Sequence, residues 1–400
     1  MKKMKKVLIM NISYNDIGMM KALKKMGYYI YAIGMYSGLP GQEYADEYIR
    51  QDYSQKEEVL KLAIKLQVDA VCACCNDTGV ITAAYVAEKL GLNGHDTYNN
   101  ALLLEHKDKF NAFLQTSGIQ KSNTQTFNTE KEALSAVRTM LYPIIIKPVD
   151  LCGGVGISKA ETVQEAESAV KNAFALTRES NIVIEPFISG KQYGLCTFLV
   201  NKKVVKYCTN NEMSVVNPYR VEMDLFPSDC EPELVSDLIK KIEKIATILQ
   251  LKDGIFHLQF LVHNKQAHII EAMRRVPGNL YLKLAKEQTG FDWDYWEART
   301  HCGIDCEKEI QQIKDTKLEN GCGAYRSVVA EKNGVVKKLR VAPEVQKYIT
   351  EQMIFCEKGQ KVQHHKTEQL ALLFFRFPDR KSMEHILLDE YDKIGVELEA

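Results

Sequence analysis

A lysine closing a run of isoleucines is the first feature of this 400-residue chain that could do chemistry. Ile144, Ile145 and Ile146 lead into Lys147 and Pro148, and Gly153, Gly154 and Gly156 follow within ten residues. A cation at a strand end, beside backbone N–H groups on flexible glycines, suits a phosphate group. The order is neither that of a Walker loop nor that of a kinase loop, and alone it also fits a tight turn. A second group comprises Gln259, Glu271 and Arg275, the arginine four residues after Glu271. Glu271 offers a hard oxygen to a cation or a simple ion pair to an arginine. Arg275 can hold a carboxylate or an acyl phosphate through two parallel hydrogen bonds. His257 precedes Gln259 by two residues and reads as a satisfied core histidine. Cys72, Cys74 and Cys75 lie close in sequence. Strand alternation separates them and no second Cys/His pair has zinc spacing, so a metal site is not expected there.

The elements that must carry these residues follow from periodicity. Residues 7–10, 29–33 and 70–75 read as buried strands, and residues 17–26, 57–66 and 82–90 as helices, the first and last stopped by Gly27 and Gly91. That alternation predicts a parallel sheet with helices on both faces, without the three glycines of a dinucleotide fingerprint. A polar helix is expected over 105–117, strands over 144–146 and 182–184, and a helix over 163–174. Hairpins turn at Asn201-Lys202 and around residues 263–266, and a helix spans 234–249. Residues 210–229 show little periodicity and read as a mobile loop. Later strands are expected over 325–330 and 370–375, and a last helix near 382–388.

Composition narrows the class. Lys plus Arg and Asp plus Glu both number 52, so the formal net charge is zero, which disfavours nucleic acid as the main partner. No apolar run approaches the roughly 20 residues of a membrane span. The lysines of residues 1–6 have too short an apolar stretch behind them for a signal peptide. Eleven unevenly spaced cysteines fit reduced thiols, and a cytoplasmic protein is the expectation.

The order of the pieces, Lys147 with its glycines, then Glu185-Pro186-Phe187-Ile188, then Gln192, then Gln259, Glu271 and Arg275, resembles the ATP-grasp superfamily over residues 5–300. The last strands resemble the small final domain of its biotin-carboxylase-like branch. The resemblance implies an α/β protein: an N-terminal parallel-sheet domain over 1–104, a two-lobed ATP-grasp region over 105–305 with its small lobe over 118–186, and a β-rich C-terminal domain over 306–400. It places Lys107, or Lys109 two residues on, and Lys147 at the phosphates of ATP, beneath a loop of Gly153, Gly154 and Gly156. Glu185, Phe187 and Ile188 become the hinge at the adenine edge, Gln192 the ribose partner and Leu261 the adenine contact.

The superfamily's metal positions read here Gln259, Glu271 and Met273. Glu271 and Gln259 are therefore the expected Mg²⁺ ligands (Mn²⁺ as the alternative ion), and Met273 is a departure, since a thioether suits neither ion. Arg275 is expected to be catalytic with Lys147 and to hold substrate, Arg326 to be a second substrate arginine, and Arg274 a solvated neighbour. The implied activity is an ADP-forming ligation of a small-molecule carboxylate to an amine through an acyl phosphate. A homodimer is the assembly considered. Two alternatives stand beside it: a carboxylase or one-carbon and purine-type enzyme on the same scaffold, and a nucleotide-binding regulatory protein with a weakened metal site.

Overall fold

The computed structural model describes residues 4–121, 123–151, 153–313 and 321–399. The lysines at positions 2 and 3 and Cys152 of the glycine-rich stretch lie outside them.

The N-terminal region is a four-stranded parallel sheet of Lys6–Met10, Tyr29–Gly34, Glu47–Arg50 and Ala70–Ala73, with the first strand between the second and the fourth. Its strands read as continuous apolar runs because both faces are covered. Val7 and Ile9 face one core with Met19 and Leu23, and Leu8 and Met10 face another with Val59 and Ala63. The fourth strand ends at Ala73, two residues sooner than expected, because Asn76 caps the helix Asp77–Leu90, its side chain accepting from Gly79 N–H at 2.9 Å. The polar helix expected over 105–117 forms as Lys107–Thr116; an unanticipated helix, Tyr98–Glu105, precedes it, and His106 between them is extended (φ −94°, ψ 118°). That break puts Lys107 at a helix start.

A small lobe follows: an antiparallel sheet of Gln125–Phe127, Ile182–Pro186, Ile144–Pro148 and Ser158–Ala160, in that spatial order. Helices Glu130–Val137 and Val163–Leu176 cover it, and Val137, Ile144, Ile146, Val170 and Ile184 form its core. An eight-stranded sheet then runs from Gln266–Met273 through Gly254–His263, Lys191–Val200, Lys203–Met213, Met223–Phe226, Cys322–Val328 and Ala371–Phe377 to Ile349–Ile354. Helix Pro232–Leu249 packs on it through Leu238, Ile242 and Ile245. Both expected hairpins form, each on a two-residue turn with positive φ: Asn201 and Lys202 at 50° and 65°, Asn264 and Lys265 at 48° and 58°.

The expectation of a mobile loop over 210–229 is corrected. The strand Lys203–Met213 continues through it and Met223–Phe226 adds another. Between them the buried Glu222 carboxylate accepts from the N–H groups of Val215, Val216 and Asn217 at 2.7–3.2 Å. Asn210, Asn211, Glu212 and Asp224 are buried here, so these are strands with polar side chains turned inward, which a search for apolar alternation passes over. In the C-terminal region Gly334–Val341 lies between Lys361–Val362 and Ile394–Leu398. The last helix, Arg380–Glu384, runs on into a π-helical turn, His385–Asp389.

Candidate active site

Between the small lobe and the eight-stranded sheet lies a cleft of about 1150 Å³. Lys147 reaches it from the strand Ile144–Pro148 and is nearly fully buried; its Nζ is 2.5 Å from Glu185 Oε1 on the neighbouring strand. Thr124 Oγ1 donates to the other Glu185 oxygen at 3.0 Å. Glu185, read as a hinge residue, thus holds the lysine by its side chain. Phe187 and Ile188 also line the cleft, but the Phe187 N–H donates to Pro143 O at 3.0 Å, and Lys159 Nζ sits 4.4 Å above the Phe187 ring.

Of the two lysines, Lys109 is exposed, whereas Lys107 faces the cleft, donating to Leu151 O at 2.8 Å and standing 3.6 Å from Glu271 Oε2. Gly153 and Gly154 line the cleft as expected. Gly154 has φ +78°, and a Cβ there would meet Tyr219 O at 2.6 Å, so any side chain would push the stretch off the 214–222 bridge. Gly156 is different. It is absent from the cleft lining, and a Cβ on it would collide with Pro148 Cγ at 2.7 Å. Its role is close packing at the loop's return.

Gln192, Gln259, Leu261 and Glu271 line the opposite wall, Gln259 and Glu271 directly paired on adjacent strands. Their arrangement exposes a residue that the sequence reading missed. Glu212 is buried and accepts from Gln192 Nε2 at 2.7 Å and from Gln259 Nε2 at 2.8 and 2.9 Å. Burial pushes its carboxyl up to about 7; the two amide bonds oppose that shift and the Glu271 charge adds to it. Asp224, opposite Glu212 on the next strand, is also buried and raised by burial; it accepts from Asn210 and Asn279, each at 2.5 Å. The available signal was Glu212 and Asp224, two carboxylates in a stretch set aside as a loop.

Arg275 reaches the cleft's far end buried and paired with Asp77 at the start of helix Asp77–Leu90. Burial disfavours its charge, but Asp77 and Glu105 outweigh that. Glu105 itself is pushed well above the usual carboxyl range, first by burial and then by Asp77. His257 borders the cleft too; burial and then Arg275 hold it down at about 3, so it is the neutral histidine expected, with Tyr281 OH 3.3 Å from its Nδ1.

Two arginines depart from expectation. Arg274 is a buried ion pair with Asp96 (2.7 Å) that also donates to Lys252 O and Ile255 O. Arg326 is outside the cleft lining: it is 1% exposed, donates to Tyr391 O at 3.0 Å and Ile394 O at 2.8 Å, and stacks on the Tyr391 ring. It is placed by strand alternation on the face turned away from the cleft and cannot hold substrate there.

Residues 106–216 match the family described as phosphoribosylglycinamide synthetase, ATP-grasp (A) domain. Along its whole length the fold is similar to that of an L-amino acid ligase from Bacillus licheniformis, at 16% identity and a TM-score of 0.81, covering 100% of both chains. It is similar also to a phosphoribosylglycinamide synthetase from Anaerococcus prevotii, at 21% identity and a TM-score of 0.74, covering 99% of this chain and 100% of the other. A carbamoyl phosphate synthase large chain from Clostridium acetobutylicum is 23% identical over 206 residues, 49% of this chain. The chain spans 19% and 25% of the length of the two curated relatives compared. The protein has the ATP-grasp fold.

Proposed function

We propose that the chain is an ATP-dependent, ADP-forming ligase that joins a small-molecule carboxylate to an amine through an acyl phosphate. The observation that carries this reading is the convergence on one cleft of Lys107, Lys147, Gly153 and Gly154 with Glu271, Glu212 and Arg275. Lys147 is paired with Glu185. An arriving phosphate chain takes over that lysine, and Lys107 moves from the Leu151 carbonyl to a second phosphate oxygen. The two cations stabilise charge on the transferred phosphoryl group while the substrate carboxylate attacks it. Arg275, held in place by Asp77, orients the acyl phosphate for the amine. The glycine stretch closes over both and keeps water from hydrolysing the intermediate.

The donor set fits Mg²⁺. Glu271 and Glu212 offer carboxylate oxygens and Gln259 an amide oxygen, and the repulsion that Glu271 exerts on Glu212 is what a divalent cation would relieve. Met273 is buried on the strand beside His257 and contributes nothing hard. When bound, the ion supplies charge neutralisation along the phosphate chain. Glu212 also bears against the regulatory alternative, because the charge missing at Gln259 is present two strands over, across the strand Lys191–Val200. Release of ADP and phosphate that depends on both an acid and an amine, screened over carboxylate and amine pools, tests the assignment; release with bicarbonate as the acid and no amine would favour the carboxylase alternative.

A further inference from the structure

Cys74 and Cys75 follow the last parallel strand, where the chain leaves the sheet. Alternation should send their side chains apart. The strand has already ended, however, and both thiols turn to one side: their sulfurs are 3.3 Å apart, and each lies 3.5 Å from the Asn15 carbonyl oxygen. Asp16, fully buried, completes the cluster, its carboxylate oxygen and the two sulfurs all within 4.8 Å of one another. One Asp16 oxygen is saturated, accepting from Asn11 Nδ2, Ser13 N and Ser13 Oγ at 2.8–2.9 Å. Among the described residues the other accepts no hydrogen bond, although the Cys75 N–H is near enough to act on the carboxyl. An unmatched oxygen on a fully buried carboxylate is costly unless something else answers it.

We propose that Asp16, Cys74 and Cys75 form a binding site for a single thiophilic divalent cation of the Zn²⁺ or Cd²⁺ class, separate from the nucleotide cleft. Two thiolates and a carboxylate are a donor set for such ions rather than for Mg²⁺. The geometry favours chelation over a disulfide. Two sulfurs on a tetrahedral zinc, each at about 2.3 Å, stand about 3.8 Å apart, so this pair need open by only about half an ångström. A disulfide of about 2.05 Å would need it to close by more than twice that, within one dipeptide. Among the described residues no lysine or arginine is hydrogen-bonded to any of the three ligands. Arg275 acts on Cys75 from nearby but is already paired with Asp77, so the ion would supply most of their compensating charge.

The place gives the site a consequence. Cys75 Sγ lies 3.8 Å from Pro277 O, and Asn15 Nδ2 donates to Gly278 O. Occupancy would therefore fix the segment just after Arg275 against the N-terminal sheet. The test is Cd²⁺ titration of the fully reduced chain, followed by the thiolate-to-metal charge-transfer absorbance, with X-ray absorption of the wild-type complex as a readout that needs no variant. One equivalent per chain is expected, with two sulfurs and at least one oxygen around the ion. The absorbance should be lost in Cys74→Ser and in Cys75→Ser and affinity should fall at least about tenfold in Asp16→Asn, the scale that even an outer-shell partner of a metal carries. Cys302→Ser, which removes the thiol beside Cys72, should change neither. A wild-type complex without two sulfurs, no charge-transfer band, or affinity unchanged in Cys74→Ser and Asp16→Asn would overturn the proposal.

Discussion

Glu212 changes what Gln259 means. Read along the chain, Gln259 is a metal position that has lost its charge; in the fold its amide donates twice to a buried carboxylate on another strand. Gln259→Glu would then place two carboxylates in contact where burial already pushes Glu212 up to about 7. We predict that this variant is less stable without metal by about 1–3 kcal/mol, the cost of an unmatched buried group. Mg²⁺ should raise its melting temperature by more than it raises that of the wild type, because the ion binds only the folded chain. Equal shifts in the two proteins would argue against a cation between these strands. At the opposite wall, Lys147→Ala should weaken nucleotide binding by roughly 10- to 150-fold, which is a charged hydrogen bond of about 1.5–3 kcal/mol converted at tenfold per 1.4 kcal/mol. Calorimetry reads this directly, and unchanged affinity would remove Lys147 from the phosphates. His257 supplies a pH prediction. Its folded pKa, near 3, lies below the ordinary 6.5, so protonation favours unfolding. The stability tied to its neutral form is complete above pH 6.5 and drains away as the pH falls toward 3. His257→Phe should flatten the denaturation midpoint over that window, and an unchanged slope would mean that other groups dominate it.

Elements with one apolar face or two announced themselves, and those with polar interiors did not. The parallel strands, the small-lobe strands and the helix Pro232–Leu249 follow hydrophobic spacing because apolar burial is what places them. The strand ends around residues 210–226 face the cleft, carry Asn, Glu and Asp inward, and so resemble a loop by composition while being held by a ladder and by Glu222. The same reason hid Glu212 and Asp224. Lys147, Lys107, Glu271 and Arg275 could be placed near strand ends or a helix start by order alone, and all four line the cleft. Arg326 shows where order fails: it sits on the strand Cys322–Val328, but which face a residue takes depends on a one-residue register that spacing between motifs does not determine. We predict that Arg326→Met costs about 1–3 kcal/mol in chemical denaturation, since it strands the carbonyls of Tyr391 and Ile394. Nucleotide affinity should be untouched. A loss of affinity with stability unchanged would return Arg326 to the site.

At the scale of the whole molecule, the cleft exists because two sheets of different origin face each other across it. The small lobe contributes cations and glycines, and the eight-stranded sheet contributes carboxylates and amides. The helix Asp77–Leu90 beside the N-terminal sheet adds Asp77, which closes the far end against Arg275. The charges are complementary across the gap, so a triphosphate with its cation can bridge walls that otherwise pair within themselves, Lys147 with Glu185 and Glu212 with Gln259. The ligase reading requires that bridging to lead to turnover. The direct test is ADP release from purified protein with ATP and Mg²⁺ across paired acid and amine pools, alongside Glu271→Gln. The account predicts ADP and phosphate in equal amounts, requiring both an acid and an amine, and abolished in Glu271→Gln. Tight ATP binding with no ADP formed in any pairing, in wild type and variant alike, would contradict it.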